Sequence, residues 1–286
     1  MKLLRYGPKG AEKPGLFDAN GVIRDLSCIV PDLSASLLVP ESLNAIRAID
    51  SAKLPQVAAG VRLAEPYSGM GKFICIGLNY SDHAEESGQP VPEDPIIFTK
   101  WNSCVQGPND PIVIPRGSRK TDWEVELGVV IGKQVRYIKP EEARSCIAGY
   151  CVVNDVSERE YQLNRGSQWD SGKGCDTFGP IGPWLVTADE VPDPQALDLW
   201  LDVNGKRYQN GNTRTMVFDV DYLISYVSQF TTLYPGDLIS TGTPPGVGLG
   251  QRPPMYLKAG DVVTLGILGL GEQRQTVYDW DDRLLA

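Results

Sequence analysis

Asp122-Trp123-Glu124-Val125-Glu126-Leu127-Gly128-Val129-Val130 has the alternation of a β-strand. Successive side chains on a strand point to opposite faces, so Trp123, Val125, Leu127 and Val129 share one face and Asp122, Glu124 and Glu126 the other. The apolar runs on either side are short and cut by glycine and proline. Residues 73–76, 95–99, 112–114, 123–131, 151–153, 199–203, 237–241 and 262–268 read as strands. Asn204-Gly205 fits the tight turn of a hairpin. Helices are few, the best being 140–147, 157–164 and 219–230, where Val220, Leu223, Ile224 and Val227 follow helical spacing. With 30 glycines and 22 prolines spread through it, the pattern favours a β-dominated α+β fold over a βαβ array.

Residues 1–66 read as a small β-rich N-terminal domain, and 67–286 as the main domain. Asp18-Ala19-Asn20-Gly21 is a turn signal between 15–17 and 22–26. Pro40 opens a short helix over 40–49, with Leu43, Ile46 and Ile49 on one side.

The 286 residues are 42% hydrophobic and 22% charged. A chain this long buries about 75% of its unfolded surface and needs no disulfide or metal staple to fold. A net charge of −9 argues against a nucleic-acid partner, because such binding rests on a basic footprint. The six cysteines are scattered without a C-x-x-C pair, so a zinc ribbon fails. No apolar run approaches the ~18 residues of a membrane span, and no signal peptide develops after Met1. A soluble cytoplasmic protein, bound to no membrane, is expected. His83 is the single histidine, so any imidazole chemistry falls on it.

Glu124 and Glu126, at i and i+2 on one strand face, stand roughly 7 Å apart at Cα. They can converge on one ion, and hard oxygen ligands suit Mg2+, Mn2+ or Ca2+. The plain alternative is a half-exposed strand with a wet acidic face. Asp155, at the end of the 151–153 strand where a helix starts at Ser157, is a third candidate ligand or an N-cap. In Ser81-Asp82-His83-Ala84-Glu85-Glu86-Ser87-Gly88, Ser81 or Asp82 can cap a short helix and Gly88 can end it. His83 and Glu86 then face each other at i and i+3. A carboxylate beside imidazole fixes its tautomer and supports its protonated form, as a general base needs. The loop Gly88-Gln89-Pro90-Val91-Pro92 suits a lid hinge or an ordinary exposed loop. Lys173, between Gly172 and Gly174, suits a backbone that approaches a ligand while the ammonium meets an oxyanion, or an ordinary solvated loop. Thr241-Gly242-Thr243-Pro244-Pro245-Gly246-Val247-Gly248 could hold a carboxylate through its hydroxyls and backbone N–H groups, or be a rigid turn.

Together these stretches, with Asn154-Asp155-Val156-Ser157-Glu158-Arg159-Glu160, resemble the fumarylacetoacetate hydrolase family, in its acylpyruvate hydrolase branch. The likeness spans residues 70–275. It implies a mixed β-sandwich roll of the family's C-terminal type, usually as a homodimer. It implies one Mg2+ or Mn2+ per subunit, held by Glu124, Glu126 and Asp155. His83 and Glu86 would be the water-activating dyad, and Lys173 the lysine near the metal. Arg159 and Gln162 would face the substrate. Thr241 or Thr243 would hold its carboxylate, with Thr243 slightly favoured.

The implied reaction is hydrolysis of the C3–C4 bond of an anionic 2,4-diketo acid to give pyruvate. The 167–176 stretch resembles members acting on 2,4-diketo-3-deoxy-L-rhamnonate or -L-fuconate, which give pyruvate and L-lactate. Trp101, Asn102, Ser103 and Gln168 are candidates to meet that acyl group. Oxaloacetate decarboxylation or a ureidoglycolate lyase-like reaction on the same metal is the nearest rival, and a non-catalytic binding protein the remote one.

Overall fold

The computed structural model describes residues 1–88 and 90–281. Gln89, in the loop read as a hinge, and residues 282–286 lie outside the described residues. The first strands are β1 (Lys2–Tyr6), β2 (Lys13–Phe17), β3 (Ile23–Asp25), β4 (Phe73–Gly77), β5 (Ile96–Lys100), β6 (Val105–Gln106), β7 (Ile112–Val113) and β8 (Thr121–Asp122). Then come β9 (Val125–Ile131), β10 (Ile147–Asn154), β11 (Ser157–Glu158), β12 (Gly179–Thr187) and β13 (Asp198–Val203). The last are β14 (Lys206–Asn212), β15 (Leu238–Ser240), β16 (Val262–Ile267) and β17 (Gly271–Tyr278). The helices are α1 (Pro40–Arg47), α2 (Ser81–Ser87), α3 (Pro140–Ala143), α4 (Arg159–Asn164), α5 (Asp170–Lys173) and α6 (Val220–Phe230).

The large sheet runs β3-β2-β1-β12-β10-β9-β15-β4-β5, with β6 added beside β12. It is mixed: β15 pairs parallel with β4, and β6 parallel with β12, among otherwise antiparallel neighbours. A second sheet, β14-β13-β16-β17-β7, packs on β9, β10 and β12. The expected β-dominated α+β fold is therefore found. Residues 1–66 contribute β1, β2 and β3, which extend the large sheet through the β1–β12 pairing. In α1, Pro40 stands at the start and Leu43 and Ile46 are buried. Asn204 and Gly205, both at positive φ, form the two-residue turn between Val203 and Lys206, as a hairpin of this twist needs.

The structure corrects several readings. The 123–131 strand is broken: Trp123 and Glu124 lie between β8 and β9. Every residue of β9 is buried, because sheet covers sheet, so no wet acidic face exists. Ser157 and Glu158 pair with β8, and the helix starts only at Arg159. The 140–147 helix shrinks to α3 and a 3-10 turn over Arg144–Cys146. The helix holding His83 is capped neither by Ser81 nor by Asp82. Its N-cap is Tyr80, without a side-chain bond, and it ends at Gly88 with φ 66°.

Candidate active site

The strand break builds the site. Val125 pairs with Asn154 on one side of it, and Asp122 with Ser157 on the other. Between these pairings the ladder is interrupted, leaving one bond, from the Asp155 N–H to the Glu124 carbonyl at 2.9 Å. Glu124 and Asp155 lie in this break, outside the strands, and converge with Glu126 of β9. Oxygen atoms of these three buried carboxylates lie within 4.8 Å of one another.

Cations from other elements meet this cluster. Lys173 Nζ donates to Glu124 Oε2 at 2.7 Å and to Asp155 Oδ2 at 2.8 Å. Arg159 Nη2 donates to Glu124 Oε1 at 2.7 Å and Nη1 to Gln162 Oε1 at 3.0 Å. Arg159 Nε reaches Asp122 Oδ2 at 2.8 Å. Glu126 Oε2 instead accepts from Ser240 Oγ at 2.6 Å and the Gly242 N–H at 2.9 Å.

Titration behaviour follows from these partners. Burial works to raise the Glu124 pKa, but the charges of Lys173 and Arg159 outweigh it and hold the group down to about 2. Burial, then the charges of Asp155 and Glu124, push Glu126 well up. Burial opposes the Lys173 charge, yet Asp155 and Glu124 win and raise its pKa.

Lys173 rides on α5, a four-residue helix, and its flanking glycines have a different use from the one expected. A Cβ at Gly172 would sit 2.5 Å from the Gln162 N and the Glu158 carbonyl oxygen, and one at Gly174 2.8 Å from the Trp101 ring. They let α5 pack against α4 and Trp101, not a ligand against the backbone. The lysine meets carboxylates of the protein itself.

His83 is buried, and its Nδ1 lies 3.1 Å from Glu86 Oε2. That carboxylate assigns the proton to Nδ1 and the lone pair to Nε2. The Gly246 N–H donates to Glu86 Oε1 at 2.9 Å and Oε2 at 3.1 Å. The N–H groups of Gly248 and Leu249 donate to Asp122 at 2.6 and 2.9 Å. The turn after β15 thus holds carboxylates, as its composition suggested, but those of Glu126, Glu86 and Asp122.

Glu124, Glu126, Lys173, His83, Arg159, Gln162 and Thr243 line one inner pocket, together with Leu78, Phe98 and Trp169. It adjoins an outer cavity of about 610 Å³, which shares Leu78, His83, Arg159, Gln162 and Trp169 and adds Glu86. The two candidate threonines separate. Thr243 lines the inner pocket, donating to the Val125 carbonyl at 2.9 Å and accepting from Gln209 Nε2 at 2.7 Å. Thr241 is buried and donates to the Leu127 carbonyl at 3.0 Å, outside the lining. Trp101, Asn102, Ser103 and Gln168 line neither space. Asn102 is spent on the carbonyls of Met70 and Gly71.

Sequence reading missed Lys100. Buried on β5, its Nζ donates to Asp155 Oδ1 at 2.6 Å and to the Val156 carbonyl at 3.0 Å. The alternation of β5 carried a signal: Phe98 and Lys100 are the buried positions and Ile97 and Thr99 the exposed ones. A lysine on the apolar face of a strand needs a buried partner.

The donor set fits a hard divalent cation. Three carboxylates crowd together, and Glu126 carries the strain of like charge that such an ion relieves. The donors to Glu126, Ser240 and Gly242, both meet Oε2.

Residues 72–278 match the family described as fumarylacetoacetate (FAA) hydrolase, C-terminal. A curated relative in Burkholderia lata, named "Putative hydrolase", is 63% identical over 280 residues, covering 98% of this chain and 99% of its own. The maleylpyruvate hydrolase of Sphingobium sp. SYK-6, solved with manganese(II) and pyruvate, is 31% identical at a TM-score of 0.81, with 98% and 100% of the two chains covered. The 5-carboxymethyl-2-hydroxymuconate delta-isomerase of Mycobacterium smegmatis is 33% identical at a TM-score of 0.76, with 99% and 100% covered. No helix among the described residues is long and apolar enough to cross a membrane.

Proposed function

Because the chain belongs to the fumarylacetoacetate hydrolase family, we propose that it hydrolyses the C3–C4 bond of an acylpyruvate, releasing pyruvate. The observation that carries this reading is the meeting of two chemistries in one space. His83, backed by Glu86 from the adjoining outer cavity, borders the same inner pocket as Glu124 and Glu126, which with Asp155 beside them form the carboxylate cluster that can hold a metal. Manganese and pyruvate in the Sphingobium neighbour lend support.

A Mg2+ or Mn2+ ion, one per subunit at Glu124, Glu126 and Asp155, would supply Lewis-acid polarisation of the 2-oxo acid. Arg159, Gln162 and Thr243 orient that acid. His83 Nε2, with Glu86 behind Nδ1, takes a proton from the water that attacks the C4 carbonyl. The C3–C4 bond breaks, and Lys173 meets the negative charge of the departing pyruvate enolate. The proton held by His83 is returned to C3, giving pyruvate, and the acyl half leaves as a carboxylic acid.

The sharper substrate is 2,4-diketo-3-deoxy-L-rhamnonate or -L-fuconate, split to pyruvate and L-lactate; this rests on the resemblance of residues 167–176. The reading includes a homodimer in the cytoplasm, the former checked by light scattering. Incubation of the diketo sugar acid with protein and Mg2+, followed by pyruvate assay, tests the whole. Cleavage of simple acylpyruvates without turnover of the sugar acid sinks the substrate assignment; pyruvate from neither sinks the reaction. Isomerisation, the activity in the name of the M. smegmatis neighbour, would consume a diene acid without releasing pyruvate. Oxaloacetate decarboxylation needs no activated water and survives His83→Ala.

A further inference from the structure

We propose that Lys100 is a positioning residue that raises the site's affinity for the substrate anion at the expense of its affinity for the metal. The inference rests on the proposed metal site.

Lys100 and Lys173 divide Asp155 between them. Lys173 takes Oδ2 together with Glu124 Oε2 and lines the inner pocket. Lys100 takes Oδ1, has no exposed side-chain surface and is not among the lining residues. It therefore acts on a ligand only through Asp155 and through its charge. Its second bond, to the Val156 carbonyl, ties the ammonium to the segment just after Asp155. The third cation, Arg159, is shared between Glu124 and Asp122, so it largely answers Asp122. With Glu124, Glu126 and Asp155 ionised around a divalent ion, the two lysines leave the cluster about one positive charge. Without Lys100 it is about neutral. At separations of a few ångströms inside a protein, one unit charge changes a binding constant by tenfold or more. The same charge that attracts an anion repels the incoming cation.

A purely architectural role, tying β5 to the end of β10, predicts otherwise: its loss would loosen Asp155 and weaken both ligands. The test uses the purified full chain, with Mn2+ and oxalate as probes. Mn2+ is titrated by calorimetry, and oxalate is then titrated into the Mn2+-loaded protein. For Lys100→Met the expected result is Mn2+ binding several-fold tighter and oxalate binding roughly tenfold weaker. Lys100→Arg, which keeps the charge, should restore oxalate binding towards the unaltered protein. If the methionine variant does not fold, Lys100→Gln, neutral yet able to donate to Asp155, is read in the same two titrations. Weakening of both ligands together, or unchanged oxalate binding, overturns the proposal. Failure of the unaltered protein to bind Mn2+ instead defeats the metal reading on which it rests.

Discussion

The carboxylate cluster and the His83 helix border one pocket but are built in opposite ways. Glu124, Glu126 and Asp155 come from the broken ladder of the large sheet. Donors to them arrive from β5, β15, α4 and α5. His83 and Glu86 ride on α2, seven residues long, too short to be stable alone. Its polar ties include those from Gly246 to Glu86, from Thr215 Oγ1 to Asp82, at 3.3 Å for Oδ2, and from Ser81 Oγ to the Thr215 carbonyl at 3.4 Å. The difference teaches that the candidate metal ligands are set by the sheet and its break, whereas the His83–Glu86 pair, proposed to activate water, is attached from outside. One should be removable without the other.

The largest effect should come from breaking the sheet side. Glu124→Ala leaves Lys173 and Arg159 short of a buried partner. Such a loss costs about 3–5 kcal/mol, and here it removes a candidate ligand too. A urea melt should show this drop, and calorimetry should show Mn2+ binding lost. Normal Mn2+ binding in a folded variant would break the assignment of Glu124.

His83→Ala attacks the other side. Hydrolysis should fall by about 10²–10⁴, while the urea midpoint and the Mn2+ titration stay near those of the unaltered protein. Loss of Mn2+ binding along with activity would mean the two regions are one mechanical unit, and the contrast drawn above would fail.

Gly246→Ala probes the link between them. Gly246 has φ 107°, and a Cβ there would collide with the Tyr208 carbonyl oxygen. The loop must shift, and Glu86 loses its backbone donor. Strain of this kind costs about 1–3 kcal/mol. We expect kcat roughly tenfold lower, within the range ascribed to a misplaced acid–base pair, at an unchanged Mn2+ constant. An equal loss in Mn2+ affinity would show that the turn supports Glu126, through Gly242, as much as Glu86.

The same contrast explains what could be read in the sequence. Spacing within one segment was legible: Glu124 with Glu126, His83 with Glu86, the helix starting after Asp219, the Asn204-Gly205 turn. What depends on pairing across the chain was not. The break at Trp123 and Glu124 exists because β8 and β9 pair with two separate strands, β11 and β10, and no local pattern announces that. β12 is hidden by the glycines and prolines in Gly179–Thr187, which read as breakers. α5 is too short to show a period. The donors at Gly242, Gly246 and Gly248 are backbone N–H groups, invisible in side-chain chemistry. Lys100 was legible in principle, from strand alternation, but only with the knowledge of which face of the edge strand β5 is covered.

The smallest expected effects separate the two threonines that sequence left open. Both hydroxyls donate to carbonyls of β9, so each deletion frees one buried acceptor, at about 1–3 kcal/mol. Only Thr243 also lines the pocket. Thr241→Val should therefore lower the urea midpoint and leave KM alone. Thr243→Val should cost at least as much stability, since one Gln209 Nε2 hydrogen loses its acceptor while the other keeps the Pro244 carbonyl at 2.8 Å, and in addition raise KM several-fold. A rise in KM for Thr241→Val and not for Thr243→Val would reverse the assignment. It would also mean that the ligand-bound pocket reaches deeper behind β9 than the present geometry, and the sheet side would then be the more mobile of the two regions.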